Sequence, residues 1–130
     1  MLEGRFFKHE RLNSRKLISN LFIEADSLIE YPFRILWNEG EKIDDNYFQV
    51  AISVSKKRIP KAVDRNRMKR LIREAVRRNK EGIKRKCQNE QKKLTIMIIF
   101  LDKFFFDYHY LEHKINVILQ RLQKEICIKS

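Results

Sequence analysis

The sequence predicts a single α+β domain, a mixed sheet packed by helices in the order α-β-β-α-β-α. Three observations predict it. Two stretches alternate polar and apolar residues with a period of two, as half-buried strands do. A third, LTIMIIFL at 94–101, is apolar on both faces, as a central buried strand is. Three further stretches repeat apolar residues at helical spacing. With 130 residues, 43% of them hydrophobic, the chain can bury one core, and residues 1–130 are read as one domain.

The first ten residues read as irregular. Ser14 is the expected cap of a short helix on which Leu17, Ile18, Leu21 and Phe22 form one stripe. YPFRILW at 31–37 alternates, with Tyr31, Phe33, Ile35 and Trp37 on one face, and Pro32 marks a strand start or a sheet edge. NEGEKIDDN at 38–46 reads as a polar turn region. YFQVAISV at 47–54 alternates again. Phe48, Val50, Ile52 and Val54 share one face, and the other, with Tyr47, Gln49, Ala51 and Ser53, is small and polar enough to line a groove. Residues 62–80 read as a helix with Asp64 as its cap, followed by the charged run EGIKRKCQNEQKK. After the apolar strand, Asp107 is the expected cap of a final helix with Leu111, Ile115, Ile118, Leu119, Leu122 and Ile126 along one side.

Charge points to the partner. The formal net charge is +12, and residues 56–86 hold 15 Lys and Arg against 3 acids. The rest of the chain is balanced, so the whole excess sits in one segment. A charge concentrated in this way expects a polyanion, nucleic acid before an anionic membrane surface. On the helix that follows, roughly 100° per residue places Met68, Leu71, Ile72, Ala75 and Val76 on one stripe and Arg65, Lys69, Arg70, Arg73 and Arg77 on the other arc. An ordinary solvated face mixes its signs, and this one has only Asp64 and Glu74 to set against its cations. Successive turns lift the cations by about 5.4 Å, close to the spacing of phosphates along a strand. Arginine adds paired donors and a flat face for stacking. Lys56, Lys57, Arg58 and Lys61 precede the helix, whose first amides also favour phosphate.

Other classes are disfavoured. No apolar run reaches the roughly 18–20 residues of a membrane span, and MLEGRFFKHER is too polar for a signal peptide. The apolar stripe of the basic helix is narrow and aliphatic, unlike that of a helix lying on a membrane. Cys87 and Cys127 have no metal-ligand spacing and read as free thiols of a reducing compartment. HYLEH at 109–113 has the His-x-x-Glu-His spacing of an inverted zinc-protease motif. Its histidines lie opposite the final helix's apolar stripe and no convincing third ligand follows, so they read as surface residues. Asp44, Asp45, Asp102 and Asp107 lack the spacing of a two-metal nuclease and suit turns and caps. A helix-turn-helix DNA reader is disfavoured because no short turn joins a second helix to the basic one. A ribosome-associated or general RNA-binding module is the alternative binding class.

The string SVSKK followed by KAVDRNRMKRLIREAVR resembles the protein component of bacterial ribonuclease P. That family carries Ser-Val-Ser-Lys-Lys at a strand end and Ala-Val-x-Arg-Asn-Arg-x-Lys-Arg on the next helix. Here these are Ser53 to Lys57, then Ala62, Val63, Arg65, Asn66, Arg67, Lys69 and Arg70, with Arg73 a turn later. RLNSRKLISNLF at 11–22 matches the family's first helix by spacing. The resemblance departs at RIPK, 58–61, where the family's glycine is absent and one residue is added. It departs again at Ile18, where an aromatic is usual, and near Leu36 and Trp37, either of which could stand for a tyrosine of the first strand.

The resemblance implies a left-handed β-α-β crossover, where general rules favour a right-handed one. It implies a Mg²⁺-dependent endoribonuclease that works only as a ribonucleoprotein. Its RNA subunit is the catalyst, and it removes the 5′ leader of precursor tRNA to leave a mature 5′ end. The protein is then an RNA-binding cofactor, with no catalytic or metal-binding residue of its own. RNA binding is expected of Lys56, Lys57, Arg58, Lys61, Arg65, Asn66, Arg67, Lys69, Arg70, Arg73 and Arg77. A groove for the leader is expected at Ile18, Phe22, Leu36, Trp37 and Ser53. The expected partners are ribonuclease P RNA and precursor tRNA, in the cytoplasm, with no membrane and no obligate protein partner.

Overall fold

The computed structural model of the chain describes residues 25–41, 47–103 and 107–129. The helix expected at 14–22 lies outside them. The described order is β1 (Asp26–Glu30), β2 (Phe33–Glu41), β3 (Phe48–Val54), α1 (Ala62–Asn79), α2 (Glu81–Glu90), β4 (Lys92–Phe100) and α3 (Tyr108–Lys129). The strands form one mixed sheet in the order β1-β2-β4-β3. β2 runs antiparallel to both β1 and β4, whereas β3 and β4 are parallel and joined through α1 and α2. This is the α+β class that the periodicities predict.

β4 occupies the centre because it alone is apolar on both sides. Leu94, Ile96, Ile98 and Phe100 face the helices and are buried, and Met97 is buried on the opposite face. The alternation of β3 places Phe48, Val50 and Val54 in the main core, as expected. Met68, Ile72, Ala75 and Val76 of α1 and the stripe Leu111, Ile115, Ile118, Leu119, Leu122 and Ile126 of α3 meet them there. The three described helices thus cover one face of the sheet, and α1 packs against both α3 and β3.

Three expectations about the strands need correction. β1 was not anticipated, because DSLIE has no clean alternation. Only Leu28 packs on the core, and Ile29 is 57% exposed. It is an edge strand defined by pairing with β2, not by its own pattern. β2 runs on through Glu39, Gly40 and Glu41, which read as turn, because these residues pair with Leu94, Lys93 and Lys92 of β4. Lys92 approaches Glu39 at 3.9 Å across that register. Tyr31 precedes the strand and is exposed, so it does not share the core face of Phe33, Ile35 and Trp37.

The helical boundaries differ as well. α1 starts at Ala62 with Lys61 as its N-cap and no side-chain cap bond, so Asp64 lies in the first turn, where its charge suits the helix dipole. The charged run after α1 contains α2. Ile83 and Cys87 lie one turn apart and are both buried, which is enough to dock a short helix whose other positions are polar. It ends at Gln91, in the left-handed region at φ 55°, whose N–H reaches back to the Cys87 and Gln88 carbonyls. Asp107 directly precedes α3, and its carbonyl accepts the Leu111 N–H at 3.1 Å.

Two expectations follow for stability. Ile96 is fully buried at the centre of β4. Ile96→Ala should cost about 2–5 kcal/mol in urea unfolding, through lost transfer energy and the cavity left behind. Burial pushes the Cys87 thiol up to about 12, and the nearby carboxylates of Glu90 and Glu39 add to the shift. A thiol raised in the fold is kept neutral. Its stabilising share is complete below the ordinary thiol value of about 8.5 and is lost as pH climbs toward the folded value. In a Cys127→Ser background, Cys87 should therefore resist iodoacetamide at neutral pH until denaturant unfolds the chain. Rapid alkylation of the native protein would contradict this.

Candidate nucleic-acid interface

α1 divides as its periodicity predicts. Met68, Ile72, Ala75 and Val76 are buried and Leu71 is half-buried. Asn66, Arg67 and Arg70 are exposed, and Arg65, Lys69, Arg73 and Arg77 lie half-buried beside them. Lys56, Lys57, Arg58 and Lys61 are exposed on the turn that leads into the helix. The expected cations therefore form one continuous surface from the end of β3 along α1.

They are not equivalent. The Arg65 guanidinium donates to the Ile59 and Pro60 carbonyls at 3.0 and 2.7 Å, and so braces the RIPK turn. Ile59 itself plugs into the core, and its N–H donates to the Ser55 carbonyl at 3.0 Å. The turn without glycine is thus held from inside by one aliphatic side chain and from outside by one arginine. Arg58 donates through its guanidinium to the Leu101 carbonyl and through its main chain to Ser55 Oγ at 3.1 Å. Arg77 donates to Glu74 at 2.9 Å, and Arg78 lies 3.4 Å from the same carboxylate. The hydrogen bond from Arg77 holds the Glu74 carboxyl below the usual carboxylate range against the opposing effect of burial, and raises Arg77 in turn. Arg58, Arg65 and Arg77 thus serve the fold as well as the surface.

The sheet's other face carries the expected groove position. Ser53 pairs with Ile99, and Ile99 with Arg34, which pairs with Ile29 on β1. Ser53 and Ile99 are half-buried, while Arg34 and Ile29 are exposed. One row away, Leu36 and Met97 are buried with Ala25 and Ala51 around them. Trp37 lies in the main core under the helices. Of the two alternatives, which both lie on β2, only Leu36 shares the face of Ser53, because adjacent residues of a strand point oppositely. Ile18 and Phe22 lie outside the described residues. Arg34 was missed, although its place between Ile35 and Phe33, both core residues, marks it as facing away from the helices.

His109 and His113 are exposed, as expected, and border a shallow cleft of about 310 Å³ with Asn79, Glu112 and Asn116. Among the described residues, no three His, Cys, Asp or Glu side chains converge as metal ligands would. Among the same residues, no helix is long and apolar enough to cross a membrane.

The profile of the family described as Ribonuclease P matches residues 6–123. The chain belongs to the ribonuclease P protein family. It is 35% identical over 115 residues to the ribonuclease P protein component of Porphyromonas gingivalis strain ATCC 33277, covering 88% of this chain and 84% of the relative. The corresponding protein of Chlorobium phaeobacteroides is 29% identical over 126 residues, covering 89% and 86%. Among solved structures, the RNase P protein from Thermotoga maritima superposes with a TM-score of 0.68 at 30% identity, covering 86% of this chain and 96% of that one. The RNase P protein of Staphylococcus aureus shares the fold, with a TM-score of 0.68 at 21% identity and coverage of 87% and 94%. The ribonuclease P string of this chain falls on the end of β3 and the first three turns of α1, where the exposed cations lie.

The surface makes a quantitative expectation for RNA binding. Replacing Arg70 and Arg73 together by Ala should weaken binding to structured RNA and flatten its salt dependence, by about one unit of slope per lost phosphate contact at most. Circular dichroism should first show that the variant is folded, since arginine stems also pack. An unchanged slope would place the contact surface elsewhere. Arg65→Ala should behave differently and lower thermal stability as well, because it unbraces the turn.

Proposed function

We propose that this chain is the protein subunit of a ribonuclease P, which binds the catalytic RNA subunit and the 5′ leader of precursor tRNA. The observation that carries the reading is the family match over most of the chain, together with the family's basic string lying exposed on α1 and the turn before it. In this reading α1 faces phosphates of folded RNA, and Lys56 and Lys57 at the end of β3 hold phosphates of the leader. Such recognition works by shape and charge and needs no reading of base edges. The second face of the sheet takes the single-stranded leader. A small hydroxyl at Ser53 leaves room for a nucleotide and offers a hydrogen bond, where a long side chain would close the groove.

The RNA subunit supplies catalysis and holds the Mg²⁺ that assists hydrolysis of one phosphodiester. The protein's own work is electrostatic and positional. It lowers the repulsion between two RNAs and holds the leader in register with the scissile bond. The resulting enzyme is an endoribonuclease as a ribonucleoprotein, acting in the cytoplasm on tRNA precursors.

Purified protein should leave precursor tRNA intact, and adding ribonuclease P RNA with Mg²⁺ should give 5′ maturation that the protein enhances at low salt. The measurement is gel-resolved cleavage with each component omitted in turn. Cleavage by nuclease-treated protein free of RNA would overturn the reading, as would failure to enhance any ribonuclease P RNA.

A further inference from the structure

The face of the sheet that carries Ser53 continues past it. Beyond the C-terminal ends of β3 and β4 lies a cleft of about 520 Å³, within the range of small-ligand sites. Among the described residues, three segments wall it. They are Tyr31 in the β1–β2 turn, Ser55 to Arg58 after β3, and Leu101 to Lys103 after β4. The walls are tied together by hydrogen bonds. The Leu101 N–H donates to the Pro32 carbonyl at 2.8 Å, the Arg58 guanidinium to the Leu101 carbonyl, and the Tyr31 hydroxyl to the Asp102 carboxylate. The Lys103 N–H donates to the same carboxylate at 2.6 Å.

Two features of this cleft have no structural explanation in the core. Tyr31 is 53% exposed, yet it is held at its far end across the chain. Its ring is presented to the cleft with little freedom left to lose on binding. Asp102 is an acid lining a cleft shared with Lys57, Arg58 and Lys103. In a site for anions a carboxylate is unfavourable unless it has another task, and here it anchors the tyrosine.

We propose that this cleft holds one nucleotide of single-stranded RNA, its base stacked on Tyr31 and its phosphates on Lys57 and Lys103. Asp102 is a positioning residue that fixes the tyrosine through its hydroxyl. The inference rests on the functional reading above and names where the leader lies once past Ser53. Stacking on an aromatic ring tolerates any base, which suits leaders of varied sequence.

The test uses holoenzyme assembled with ribonuclease P RNA and precursors whose leaders lengthen one nucleotide at a time. Tyr31→Ala should weaken binding of long-leader substrates by about tenfold, leave a single-nucleotide leader unaffected, and move KM rather than kcat. Asp102→Asn, which retains an acceptor for the hydroxyl, should stay near wild type, while Asp102→Ala should share part of the loss. A 2-aminopurine walked along the leader should be quenched at one position in wild type and brighten there in Tyr31→Ala. If Tyr31→Ala lowers the melting temperature, Lys103→Ala decides instead, through the same dependence on leader length. Equal losses at every length, or no loss with a wild-type holoenzyme that is itself stimulated by protein, would overturn this inference alone. A wild-type protein that stimulates no cleavage would overturn the functional reading with it.

Discussion

β4 must be buried on both faces, because its residues are apolar on both sides and its main chain is hydrogen-bonded along both edges. That requirement organises the molecule. Its partners have to be a strand on each side, so β2 and β3 flank it although they are distant in sequence. Its helix-facing residues have to be covered, and α1 and α3 supply the stripes that do so. Because β3 runs parallel to β4, the chain between them has to travel back across the sheet, which sends the cationic segment over the surface as a crossover. The position of the basic helix is thus a consequence of an apolar strand.

The same arrangement sorts the cations by task. Near the start of the crossover, Arg65 donates to the Ile59 and Pro60 carbonyls of the tight turn, and Arg58 donates to the Leu101 carbonyl after β4. Arg77 near the end of α1 is bound to Glu74, the acid one turn before it. Between these anchors Asn66 and Arg70 are exposed on the helix face turned away from the core. A cation needed for folding and a cation needed for binding look alike in a charge count. They separate only when their carbonyl and carboxylate partners are identified.

The two faces of the sheet share a further logic. The helix-covered face is continuous and aliphatic, while the opposite face sets buried Leu36 and Met97 beside a row of half-buried Ser53 and Ile99 and exposed Arg34 and Ile29. Rigid strands position a binding residue more closely than a loop does. Tyr31 extends that row beyond the strands by a different device, a hydrogen bond to Asp102 in place of the ladder.

What the sequence determined by itself is what lies within one element or one short run. The alternation of 47–54, the double-sided apolarity of 94–101, the stripe and cationic arc of α1 and the stripe of α3 are all local periodicities. So is the string from Ser53 to Arg73 that marks the family. The elements it did not reveal lack such a signal. β1 exists because β2 offers it an edge, the end of β2 because Lys92 and its neighbours pair there, and α2 because Ile83 and Cys87 find room in the core. Which of Leu36 and Trp37 faces the groove depends on which side the helices cover, a choice made by tertiary packing. The cleft at Tyr31 was invisible for the same reason. Tyr31 and Asp102 are 71 residues apart, and no local pattern links them; only the docking of β2 on β4 brings their side chains together.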